Sequence, residues 1–154
     1  SIAIGLWEFK DENDTHVFII PENQVLESGA YLVLCKDSLA FNDNFPNVSN
    51  FIGEFDFGLN GGGELVRLFD AEELPVDEVN YNDSSPWPLE PDGNGPTLEL
   101  IHPSLDNDLG VNWATSDNNG GTPGVVNSVY TADSSNSLVS GIVINEINYN
   151  SADE

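Results

Sequence analysis

Asn60-Gly61-Gly62-Gly63-Glu64-Leu65-Val66-Arg67-Leu68-Phe69 is a turn running into a strand. The glycines supply the positive φ that tight turns demand. Within the strand, Arg67 sits between apolar neighbours while Val66 and Leu68 share a face, the pattern of a half-buried strand. Short β-type runs recur at 2–9, 15–20, 30–35, 76–81, 97–101 and 141–149. In Val76-Asp77-Glu78-Val79-Asn80-Tyr81, residues 77 and 79 share a face by parity. That fits strict alternation poorly and predicts a bulge or a strand end. Pro21-Glu22-Asn23 and Glu27-Ser28-Gly29 bracket a short link, and 82–96 reads as an ordered loop centred on Trp87. Only 37–45 has helical character, for about two turns. Many short strands with turn signals every 8–12 residues or so predict an all-β sandwich.

The 154 residues suit one domain, but the charge is extreme. Three cations, Lys10, Lys36 and Arg67, stand against 27 carboxylates, a net charge of −24. This excludes a general nucleic-acid or anionic-membrane surface, since both bind through clustered Lys and Arg. Apolar residues at 39% suffice for a core, so the acidity does not imply disorder. No apolar run approaches the roughly 18–20 residues that span a bilayer. Cys35 is the single cysteine, excludes an intrachain disulfide, and reads as a small buried hydrophobe at the end of Tyr31-Leu32-Val33-Leu34. Ser1-Ile2-Ala3-Ile4-Gly5 lacks a charged leader and reads as the interior of a longer protein.

From Asp106 to Asn136 the composition turns to Asn, Asp, Ser, Gly and Thr, and 128–138 reads as a linker. Apolar sequence then resumes. Val76-Asp77-Glu78-Val79-Asn80-Tyr81-Asn82 is echoed by Ile144-Asn145-Glu146-Ile147-Asn148-Tyr149-Asn150, through similar packing needs or true repetition.

Several segments, in order, resemble the bacterial lamin tail domain, an immunoglobulin-like module also found in nuclear lamins. They are Leu6-Trp7-Glu8-Phe9 with Asp14-Thr15-His16-Val17-Phe18-Ile19-Ile20-Pro21, and Leu26-Glu27-Ser28-Gly29-Ala30-Tyr31-Leu32-Val33-Leu34. Asp56-Phe57-Gly58-Leu59-Asn60, the strand at 63–68, that at 76–81, Leu98-Glu99-Leu100-Ile101, Asn112-Trp113 and Gly120-Gly121-Thr122-Pro123-Gly124 complete the set. The resemblance implies an immunoglobulin-like sandwich over 1–127 that lacks its first strands. The family opens with I-N-E-I-x-Y-N and W-I-E-L-Y-N strands. The first of these stands instead at the C-terminus, so 139–154 resembles the start of a second, tandem copy. The expectation is that 141–149 fills the vacant first-strand position, within its own chain or in a strand-swapped dimer. His102 stands where the family more often has Asp.

Candidate chemistry is sparse. Ser104, His102 and Asp106 crowd within five residues, lack nucleophile-elbow glycines, and do not build a triad. The expectation is therefore no enzyme. One Cys and two distant His residues leave no readable zinc site. The oxygen-rich loops read first as solvated acidic turns, so no cofactor is expected; calcium is the alternative, with Asp106 and Asp108 the first ligands to test and Asp11 and Asp14 the second. Trp87 and Trp113 are either a sugar platform or plugs in the sandwich end. The resemblance and layout imply a noncatalytic structural or interaction module of a larger secreted or cell-surface bacterial protein. Its partners would be proteins or neighbouring tandem domains, not nucleic acid, and it would not insert into a membrane. The rival role is an accessory calcium- or carbohydrate-binding domain of a secreted hydrolase or nuclease.

Overall fold

The structure, a computed structural model, describes residues 1–132 and 141–149. It is an all-β sandwich with one short helix. The first layer is a four-stranded antiparallel sheet in the order β3-β2-β7-β8, from β2 (Glu8–Lys10), β3 (Val17–Ile19), β7 (Gly63–Phe69) and β8 (Pro75–Asn82). The opposite layer comes in pieces. β10 (Trp113–Thr115), β9 (Leu98–Leu100) and β11 (Glu146–Ile147) form an antiparallel sheet centred on β9. β5 (Val33–Cys35) pairs in parallel with β6 (Phe51–Gly53), and β1 (Ile2–Ala3) pairs with β4 (Val25–Leu26).

The run opening at Asn60 folds as its pattern predicts. Gly63 takes φ 108°, and Glu64, Val66 and Leu68 turn inward. Val66 packs with Val79, Tyr81, Leu98, Leu100, Trp113 and Ile147 in one core cluster. Leu68 joins Ile4, Trp7, Phe18, Ile20 and Phe57 in the other, with Leu32, Leu34 and Ile52 against it. The parity conflict in β8 resolves as a register irregularity between Leu68 and Phe69, whose partners are Asp77 and Pro75. That irregularity falls ahead of Asp77, which ordinary alternation sets on the inner face with Val79 and Tyr81. The predicted run at 2–9 breaks in two because Leu6 adopts φ 66°. The helix, α1 (Ser38–Asn44), is capped by Asp37, whose carboxylate accepts the Ala40 N–H at 2.9 Å.

The C-terminal segment is part of the sandwich. β11 pairs with β9 of its own chain, Glu146 opposite Glu99 and Ile147 opposite Leu98. The two echoed segments face each other across the core, with the Tyr81 and Tyr149 rings 4.7 Å apart. The expected linker begins as folded chain. Ser128 Oγ and Val129 N donate to Glu99 Oε2 at 2.6 and 3.1 Å, and Thr131 N donates to Ile101 O at 3.1 Å. The linker's remainder at 133–138, and 139–140 and 150–154 of the expected second copy, lie outside the described residues. Among the described residues no helix is long and apolar enough to cross a membrane.

Candidate functional site

The four aspartates proposed for calcium fall into two brackets that hold backbone. Asp11 is buried; its Oδ1 accepts Asn13 N at 2.7 Å and its Oδ2 lies 2.6 Å from His16 Nδ1. The His16 ring lies flat on Phe57 at 5.3 Å. Arg67, reaching across from β7, donates through Nε and Nη2 to the Asp11 carbonyl and through Nη1 to Asp14 Oδ1 at 2.9 Å. In the other bracket, Asp106 Oδ1 accepts Asp108 N and Asp108 Oδ1 accepts Asn80 N, each at 3.1 Å. Between them Asn107 turns inward, donating to Asp77 Oδ2 at 2.8 Å and Ile144 O at 3.2 Å, while its carbonyl takes the Trp113 indole N–H. Among the described residues no three His, Cys, Asp or Glu side chains are grouped as a metal ion would need.

His102 and Ser104 do meet, but as a local turn. The Ser104 hydroxyl and N–H both point to His102 Nδ1, at 2.7 and 3.1 Å, and the ring stacks on Tyr130. Asp106 spends its carboxylate on Asp108 N rather than on this pair. Cys35 is buried, its thiol pushed up by burial and then by the Glu54 and Asp37 carboxylates, the opposite of an activated nucleophile. Trp87 and Trp113 pack together 5.9 Å apart, at 8% and 4% exposure, so neither offers a flat face to a sugar.

Two features escape sequence reading. The first is a carboxylate pair, Glu99 buried and Glu146 half-buried. Glu99 is fully buried although parity with Leu98 and Leu100 sets it on the opposite face, because the 122–129 segment covers that face too. Its Oε1 accepts the Thr122 hydroxyl and its Oε2 that of Ser128, both at 2.6 Å. Opposite it, Glu146 Oε1 accepts Thr97 Oγ1 at 2.8 Å and Thr122 N at 2.9 Å. Burial raises Glu146 to about 7 against the pull of those donors, and Glu99 adds to the rise. Asp77 completes the clasp, accepting Ile144 N at 2.6 Å; burial raises its pKa too. Asn127 bridges the carbonyls of Leu100 and Asn145 at 3.0 and 2.7 Å. The echo of 144–150 marked this segment, but nothing in the sequence marked Glu99.

The second feature is a cleft of about 1000 Å³ between the pieces of the broken layer. Phe9, Val66 and Leu68 of the first sheet line it, as do 31–36 and 142–149. Leu32 and Leu34 of the first segment and Ile142 and Ile144 of the second pack against the same core cluster, so the two segments flank one stretch of the core. Among the described residues β5 pairs only with β6, and β11 only with β9.

No family model matches the chain, and no solved structure matches it. The cholesterol 7-desaturase of Caenorhabditis elegans is 30% identical over 86 residues, covering 54% of this chain and 20% of the desaturase. The matched region thus spans about a fifth of that relative's length.

Proposed function

We propose that this chain is a noncatalytic structural and interaction module of a larger secreted or cell-surface protein, working by strand addition at its sheet edges. The observation that supports the reading is β11. A segment lying beyond residues 133–140 is added to β9, buries Ile147 and Tyr149 at 4% exposure each, and is clasped by Asp77 and Asn127. Strand addition combines main-chain bonds with side-chain pockets, the usual means by which a sheet edge recognises a segment. In a tandem array the same geometry would join neighbouring modules. The acidity suits a well-solvated scaffold outside the cell and argues against nucleic acid as the partner.

Deletion of 138–154 tests this. It is expected to lower the melting temperature by several degrees and to leave the β9 edge free to pair, raising the mass seen by light scattering at high concentration. Unchanged melting together with unchanged mass would overturn the reading.

A further inference from the structure

Two strand edges face one cleft, and their main-chain geometry specifies what it takes. In β5, Val33 N donates to Asn50 O at 2.9 Å, so the alternating Leu34 N–H and C=O point away from β6. In the β9–β11 pair, Leu100 N donates to Asn145 O at 2.8 Å. Alternation then turns the main-chain groups of Glu146 away from β9. Both residues line the cleft.

We infer that the cleft is the seat of one extended peptide strand from another polypeptide segment, inserted between β5 and β11 so that the broken layer becomes a continuous sheet. This rests on the strand-addition reading above and names its second edge. A small apolar ligand would cover the floor of Phe9, Val66 and Leu68 but would displace water from the donors and acceptors on both walls without replacing its hydrogen bonds. An extended strand presents donors and acceptors along both of its edges and meets both walls at once. Alternation fixes its side chains, with apolar residues at every second position facing the floor. At a net charge of −24 the outward positions favour neutral or basic residues.

The probe is a capped nine-residue peptide in which valine alternates with lysine and threonine, titrated into the full chain. A peptide of the same composition without alternation is the control. Expected are one-to-one binding at least tenfold tighter than the control, an unchanged protein mass apart from the peptide, and amide exchange at Leu34 and Glu146 slowed at least tenfold. Two further peptides carry N-methyl groups on one or the other alternate set of amides. Each should bind at least tenfold more weakly, because an inserted strand uses both edges. Weakening by only one set would mean addition to a single edge and overturn the insertion. So would absent binding, or a chain that dimerises and protects the same amides without peptide, which would make a second copy the occupant. The deletion of 138–154 is read independently: a destabilised deletion variant with an inert full-chain cleft would defeat this inference alone.

Discussion

Glu146 meets Glu99 across the β9–β11 ladder in surroundings that favour its neutral form, and this has a direct consequence for pH. The folded chain holds a proton on Glu146 up to about 7, whereas the unfolded chain releases it near 4.5. Between those values the native state binds more protons, so stability is greatest below the unfolded value and falls as pH rises through the folded one. At about 1.4 kcal/mol per pH unit, the loss is on the order of 3 kcal/mol. Asp77, also raised, adds in the same direction. The melting temperature should therefore drop between pH 5 and pH 8. Glu146→Gln, whose amide oxygen can still accept from Thr97 and Thr122, should flatten that slope and melt higher than the parent at pH 8. A mutant slope equal to the parent's would show that Glu146 titrates normally. Asp77→Ala removes the acceptor for Ile144 N and Asn107 Nδ2 and should cost about 1–3 kcal/mol. Chemical denaturation read at Trp113, which lies beside Asn107, measures it.

Elements differ in how plainly the sequence announces them. β7 and β8 were legible because alternation and the glycine turn act locally, and α1 because Asp37 caps it. β6 (Phe51–Gly53) was not, since it pairs in parallel with β5 across an intervening helix and has no turn partner of its own. β10 follows a 3-10 turn and owes its register to β9 alone. The candidate site was illegible for a similar reason. Main-chain groups at a strand edge carry no side-chain signature, and Glu99 is buried by residues more than 20 positions away. The turn that covers it makes its own prediction. Gly121 takes φ 70°, and a Cβ there would overlap Glu146 Oε1 and the Thr97 hydroxyl. Gly121→Ala combines left-handed strain with that clash and should destabilise by about 2 kcal/mol or more. If the turn does close over β9 and β11, hydrogen exchange at Leu100 and Ile147, whose amides face the partner strand, should accelerate in the variant; exchange rates like the parent's would place the turn elsewhere.

At the scale of the whole molecule, 27 carboxylates share three cations, and two of those are already engaged. Lys10 sits 2.6 Å from Glu8, and Arg67 is spent on Asp14 and the Asp11 carbonyl. Most of the negative charge is therefore unpaired at the surface and opposes compaction. Salt shortens the reach of that repulsion, to about 10 Å at 0.1 M, so sodium chloride should raise the melting temperature. Calcium at equal ionic strength should do no more than that. The carboxylate of Asp11 already serves His16 and Asn13, and those of Asp106 and Asp108 serve backbone N–H groups, so binding there would have to replace existing bonds. Melts in EDTA, in calcium and in matched sodium chloride separate screening from ligation. A site filled at about 100 times its dissociation constant adds roughly 2.7 kcal/mol, about 5–11 °C at roughly 2–4 °C per kcal/mol for a domain near this size. A calcium-specific rise of that order would assign a metal to one of the two brackets, and Asp108→Asn and Asp14→Asn would then tell which. Equal rises in the two salts would leave both brackets with the structural role their hydrogen bonds already give them.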